Sequence, residues 1–255
     1  MSVLLSKREG QVEVLTLNRP EQRNALTSEL MEALSSALEE AERSSDVRVV
    51  ILTGAGNKAF CAGMDLKDFV AGPGDRVPRS TACFETFIEG RFPKPVIAAV
   101  QGTAVAGGFE LMLSCDLAVV SRTARFGIPE VKHGLFPGGG GVLLPSRIPL
   151  AVALELGLTG DTIDAQRVEQ LGLANRVVAP EDVMGMALEL ARRIAANAPL
   201  GVAATKELMW ACAQEGVASV RPKVQEAIRQ VFNSADAREG ALAFAEKRPA
   251  RWLGH

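Results

Sequence analysis

KPVIAAVQGTAVAGGFELMLSCDLAVV, residues 94–120, decides the architecture. Pro95–Val100 is a continuous apolar run, the pattern of a strand buried on both faces, and Leu117–Val120 repeats it. Between them Gly107-Gly108 stands where a strand feeds a helix that continues through Phe109, Glu110, Leu111, Met112 and Leu113. Strand, glycine junction, helix and strand in this order predict an α/β fold with a largely parallel sheet.

The pattern extends in both directions. Upstream, Gln11–Asn18 alternates as a strand, a turn follows at Arg19-Pro20, and an amphipathic helix spans about Thr27 to Arg43. Leu30, Leu34, Leu38 and Ala41 share one face of that helix. Val47–Thr53 is another β-branched run. Downstream of about residue 145 the chain turns helical, with helices expected over Pro149–Gly157, Asp164–Leu171, Glu181–Ala196, Leu200–Gln214, Val217–Phe232 and Asp236–Lys247. Asp164 is placed as an N-cap and Gly172 as the residue that ends its helix. An α/β core over 1–198 and a helical C-terminal region over 199–255 follow. Val70–Arg79, with two glycines and two prolines, reads as a mobile loop of the kind that borders substrate sites.

Composition narrows the function classes. A net charge of −2 and the absence of a basic stripe leave no electrostatic footprint for nucleic acid. The longest apolar runs are strand-sized, which argues against a membrane partner. The first residues reach charge too early for a signal peptide, and four cysteines in no CxxC or zinc spacing read as reduced thiols, so a cytoplasmic protein is expected. Two histidines make a His-rich metal site the wrong expectation.

Three glycine junctions are candidates for chemistry. In Lys58–Leu66 (KAFCAGMDL), Gly63 allows a sharp turn that can free the amide of Met64; an ordinary loop is the plainer alternative. At Gly107-Gly108, unpaired amides at a helix start suit a developing oxyanion, whereas Glu110 could equally be a surface carboxylate that complements the helix dipole. The third, Phe136–Gly141 (FPGGGG), precedes no Gly-Lys-Ser/Thr, so nucleotide phosphate binding of the Walker type is rejected. Between the last two, Glu130 follows Pro129 on a segment expected to be irregular or extended. Its neighbours Ile128 and Val131 suggest partial burial, which raises a carboxyl pKa toward acid–base use.

The order of these pieces resembles the crotonase, or enoyl-CoA hydratase/isomerase, superfamily. The similarity runs over nearly the whole chain: LNRPEQRNAL, KAFCAGMDL, KPVIAAVQGTAVAGGFELMLSCDLAVV, ARFGIPEVKHGLFPGGGG, LTGDTIDAQRVEQLGLANRVV and FAEKRPARW. The resemblance implies a core of repeated ββα units with C-terminal helices that mediate trimers or dimers of trimers. It implies an acyl-CoA thioester as substrate, with no further cofactor, and an oxyanion held by the amides of Met64 and Gly107. Hydratases of this family carry two glutamates, matched here by Glu110 and Glu130. Glu110 would deprotonate the water that attacks Cβ, Glu130 would protonate Cα, and the amide of Gly138 would help hold that water. CoA would run along Arg23, Asn24 and Ala25 and along Ala62, Asp65 and Leu66. Lys58, with Lys247 of a neighbouring subunit, would meet its phosphates, and Phe244 would pack near the adenine. Carnitinyl-CoA-type dehydration, Δ3-Δ2 isomerisation and non-catalytic acyl-CoA binding are the alternatives. The chain departs from the family pattern at Gly140–Arg147, where GG-x-QRLPR is usual, between Asp68 and Arg91, and at the bulky Met64.

Overall fold

The computed structural model describes residues 2–71 and 82–255. The loop expected over Val70–Arg79 lies, from residue 72 onward, outside the described residues. The chain opens with a hairpin of β1 (Leu4–Glu9) and β2 (Val12–Leu17), turned by Gly10 at φ +63°. Helix α1 (Ser28–Arg43) starts at Thr27, whose hydroxyl accepts from Leu30 N, and buries Leu30, Leu34, Leu38 and Ala41 as its periodicity predicts.

Then a unit repeats. β3 (Val49–Gly54) is followed by β4 (Ala59–Cys61), α2 (Leu66–Ala71) and α3 (Ala82–Ile88). Next come β5 (Val96–Val100), β6 (Thr103–Val105) and α4 (Gly107–Ser114), then β7 (Leu117–Ser121), β8 (Arg125–Gly127) and a 3₁₀ turn over Pro129–His133. A second 3₁₀ turn, Gly141–Ser146, leads to α5 (Leu150–Thr159), β9 (Ile163–Asp164), α6 (Ala165–Gln170) and β10 (Arg176–Val178). In each repeat the first strand joins one sheet and the second joins another. The larger sheet has the order β1-β2-β3-β5-β7-β10 and the smaller β4-β6-β8-β9. From β2 onward the larger sheet is parallel, as the run of apolar strands predicts.

Alternate residues of the larger sheet face two cores. Val50, Leu52, Val96, Ala98 and Val100 pack toward the smaller sheet, with Phe60, Phe109 and Phe126. Val49, Ile51, Ile97 and Ala99 face the opposite way, onto α7 (Val183–Ala195). That helix presents Val183, Ala187, Ala191 and Ala195, four residues apart, so its small side chains let it lie close on the sheet.

The C-terminal helices are α8 (Pro199–Glu215), α9 (Val217–Phe232) and α10 (Ala235–Glu246). Helix α8 is tied into the core by Lys206 and Trp210, both bonded to Asp116 just beyond α4. Among the described residues, no helix is long and apolar enough to cross a membrane.

Candidate active site

The smaller sheet delivers the site, because its strands end where the chain turns sharply. After β4, Gly63 adopts φ +85°, a left-handed conformation that glycine enters without steric cost. Leu26 N then donates to Gly63 O (2.8 Å) and Asp65 N to Leu26 O (2.9 Å), a bridge that leaves the N–H of Met64 unused. Ala62 N also donates to Arg23 O (3.1 Å). The segments 23–26 and 62–65 therefore lie side by side. Asn24, fully buried at φ +55°, fixes this pairing: its amide donates to the carbonyls of Ala55 and Ala59 and its Oδ1 accepts from Arg19 N.

The next repeat supplies a second amide. β6 runs into Ala106, whose φ +50°, ψ −134° is a conformation that side-chain-bearing residues seldom adopt. Ala106 is held there by its N–H on Gly127 O (2.9 Å) and by its carbonyl, which accepts from Phe109 and Glu110. Gly107, the first residue of α4, consequently has an N–H with no intrahelical acceptor. It lies against the first junction: a Cβ on Gly63 would stand 3.1 Å from Gly107 N and 2.5 Å from the Ala106 Cβ. A Cβ on Gly108 would clash with Cys61 O, so the start of α4 sits directly on β4. Two unused amides from adjacent strands thus come together at the positive end of a helix, a geometry suited to an oxyanion.

Glu110 follows on the same first turn and is only 6% exposed, which removes the surface-dipole reading. Its Oε1 accepts from Gly139 N (2.9 Å) and Gly141 N (2.8 Å). A Cβ on Gly107 would lie 3.8 Å from Oε2, so the second oxygen faces the oxyanion junction. Burial raises the carboxyl above the usual range, and the two glycine amides partly oppose that rise by favouring the anion. These amides are the site members that sequence reasoning missed. Four glycines in a row allow backbone to approach closely, but nothing in the run names the partner. Gly138, expected to hold the water, stands beside the Phe136 ring, and Glu110 receives its hydrogen bonds from Gly139 and Gly141.

Glu130 lies not on an extended segment but in the 3₁₀ turn Pro129–His133, started by the preset φ of Pro129 and closed by Gly134 at φ +71°. The half-buried carboxyl keeps one oxygen, Oε2, buried with no hydrogen-bond partner. Burial and the negative charge of Glu110 push its pKa up, although its own backbone amide pulls the other way. A buried carboxyl oxygen without a donor favours the protonated acid. The two carboxyls differ in their donors: two loop amides hold Glu110, whereas Glu130 has its own backbone amide and one buried oxygen with no donor.

The residues expected to meet CoA divide into three groups. Arg23, Ala25, Ala62, Asp65 and Leu66 are gathered on the paired segments beside Met64. Within that group Asp65 is engaged structurally, bonded to Arg19 Nη2 (3.0 Å) and accepting from Lys67 N at the start of α2. Lys58 is exposed in the turn before β4. Phe244, 88% exposed, and Lys247 sit on and just after α10, whose contacts run to α9 and, through Asp236, to the backbone of Leu253 and Gly254. They are not gathered with the others.

Free amides beside two carboxyls that burial lifts above the usual range can stabilise an enolate and move protons on and off it. Residues 7–255 match the family profile described as enoyl-CoA hydratase/isomerase. The chain is 40% identical to a carnitinyl-CoA dehydratase of Proteus mirabilis, over 96% of each chain. It is 38% identical to a short-chain-enoyl-CoA hydratase of Clostridium acetobutylicum, covering 97% of this chain and 95% of that one. Among solved structures, an enoyl-CoA hydratase from Mycobacterium tuberculosis superposes over 100% of both chains with a TM-score of 0.91 at 42% identity. One from Bacillus anthracis gives 0.93 at 35%, over 99% of this chain and 100% of that one. A fold of paired strands feeding two sheets, with free amides at two strand ends and matches across the whole chain, makes this protein a member of the enoyl-CoA hydratase/isomerase family, within the crotonase superfamily.

Proposed function

We propose that the protein is an enoyl-CoA hydratase, adding water reversibly to a 2-enoyl-CoA to give a 3-hydroxyacyl-CoA. The observation that carries the reading is the asymmetric carboxyl pair, Glu110 on two amides and Glu130 with an orphaned buried oxygen. In the forward direction Glu110 accepts a proton from water as its oxygen bonds to Cβ. The electron pair of the double bond moves onto the thioester oxygen, which the N–H groups of Met64 and Gly107 stabilise. Glu130 then gives its proton to Cα as the enolate collapses. Glu110 ends protonated and Glu130 ionised, and proton exchange with solvent resets the pair. For one such donor the stabilisation is about 3–4 kcal/mol.

The CoA part of the substrate would follow the paired segments 23–25 and 62–66, with Lys58 near its phosphates; no other cofactor is needed. Gly138, the neighbour of Gly139, would offer its amide to the attacking water. Exposed leucines at positions 150, 154 and 158, on one face of α5, together with exposed Phe232 and Phe244, support self-association. We assign a trimer or dimer of trimers in the cytoplasm, with Phe244 and Lys247 reaching a neighbour's CoA. Nucleic acid and membrane are not partners in this reading.

The second reading is dehydration of a 3-hydroxyacyl-CoA of the carnitinyl type, favoured by the 40% identity to such a dehydratase. It uses the same residues in reverse. Loss of the conjugated thioester absorbance, followed across 2-enoyl-CoAs of different length and branching and across a trimethylammonium-bearing one, separates the two. Turnover of simple enoyl-CoAs is expected. Turnover of the trimethylammonium substrate alone would favour the second reading, and none at all by folded, CoA-binding protein would defeat both.

A further inference from the structure

Glu110 is on α4, and the amides that hold it are on a separate loop, so their register depends on what fixes that loop to the helix. The 3₁₀ turn Gly141–Ser146 is capped at its end by Arg147. Arg147 Nη1 donates to Leu113 O (2.7 Å), a carbonyl in the last turn of the same α4, three residues beyond Glu110. Helix and turn are therefore fastened at two points, Glu110 to Gly139 and Gly141 at one end and Leu113 to Arg147 at the other.

The Arg147 guanidinium is itself braced from the C-terminal region. It lies 5.6 Å from the centre of the Trp210 ring on α8, a cation–π contact. Trp210 is locked in turn. Its Nε1 donates to Asp116 Oδ1 (2.7 Å), and its ring lies on Gly90, where a Cβ would come within 2.7 Å. Asp116 Oδ2 accepts from Lys206 Nζ (2.8 Å) and Val96 N (2.7 Å), which anchors the carboxylate.

We propose that Arg147, braced by Trp210, is a positioning residue for Glu110, fixing the Gly139 and Gly141 amides against the helix that carries the carboxylate. The proposal rests on the acid–base reading of Glu110. It gives α8 a part in the active site as well as in the C-terminal region's packing.

The test uses the full-length protein and its Arg147→Met, Arg147→Lys and Trp210→Phe variants. Hydration of a 2-enoyl-CoA is measured beside backbone hydrogen exchange of the peptide containing residues 138–142. Arg147→Met is expected to lower kcat by roughly 10²-fold, the loss a 1 Å misplacement produces, with KM unchanged and exchange of that peptide faster. Arg147→Lys should recover part of the loss. Trp210→Phe, which keeps a ring against the guanidinium but not the bond to Asp116, should fall between Arg147→Met and wild type. Wild-type kcat and exchange in Arg147→Met would overturn the proposal, as would a loss carried by KM. If Arg147→Met does not fold, wild-type kcat and exchange in Trp210→Phe overturn it. A wild-type protein that hydrates no enoyl-CoA would defeat the hydratase reading instead, while the exchange comparison would still decide the positioning.

Discussion

The two sheets of this protein are built from the same repeating unit and do different work. Strands β3 and β5 of the larger sheet are fully buried, five or six residues long and in unbroken parallel register. Strands β4, β6 and β8 of the smaller sheet have three residues each, and the β4–β6 pairing shifts register. Each short strand ends in a turn of the candidate site: β4 at Gly63 and Met64, β6 at Ala106 and Gly107, β8 at the turn that carries Glu130. Long strands bury side chains and stabilise. Short ones stop early, and stopping leaves backbone groups unpaired for chemistry.

Substitutions should separate the two sheets cleanly. The largest effects belong at the ends of the short strands. Glu110→Gln and Glu130→Gln are each expected to lower kcat by about 10²–10⁴-fold, the contribution of a general acid or base, with thermal stability little changed. A steady-state assay beside a melting curve checks both. Gly63→Ala comes next. It places a methyl at φ +85° against Ala106 and the Gly107 amide, so kcat should fall by about 10²–10³-fold, as when one oxyanion donor is lost. On the larger sheet, Ile51→Ala should reverse the pattern. A fully buried side chain facing α7 is lost, costing about 2–5 kcal/mol of stability in denaturant melts, while kcat per folded molecule holds.

The smallest effect tests the coupling of the carboxyls. In the proposed hydration Glu110 acts ionised and Glu130 protonated, so activity should rise as Glu110 loses its proton and fall as Glu130 loses its own. Because burial lifts both groups, both limbs should lie above the ordinary carboxylate range. A nearby anion disfavours ionisation, so Glu110→Gln should move the titration of Glu130 to lower pH. Carbon-13 titration of labelled glutamate reads this directly, and an unmoved Glu130 would show that the two do not interact.

The same contrast explains what could be read from sequence. The strands Val12–Leu17, Val49–Gly54, Val96–Val100 and Leu117–Ser121 and the helix capped by Thr27 announce themselves through long apolar periodicity. So do the C-terminal helices, within a residue or two, apart from Glu181, which lies in a 3₁₀ turn before α7. Three-residue strands carry too few side chains for a period, so β4, β6 and β8 were not visible as strands. At the site, Glu110 alone looked like a dipole-stabilising surface residue, and only the motif order around it argued otherwise. Nothing local marks Ala106 for a positive φ, Asn24 as a fully buried brace, or Gly139 and Gly141 as donors to Glu110. Each depends on a partner from another repeat.

In the proposed reaction Glu110 and Glu130 act together to add water across a 2-enoyl thioester. Incubating the protein with a 2-enoyl-CoA in oxygen-18 water, and examining the product by mass spectrometry, tests it most directly. The expected product is a 3-hydroxyacyl-CoA with the heavy oxygen on the β-carbon, formed at least about 10²-fold more slowly by either Glu→Gln variant. Folded protein that binds the thioester yet returns it unlabelled, or a Gln variant that labels at the wild-type rate, would contradict it.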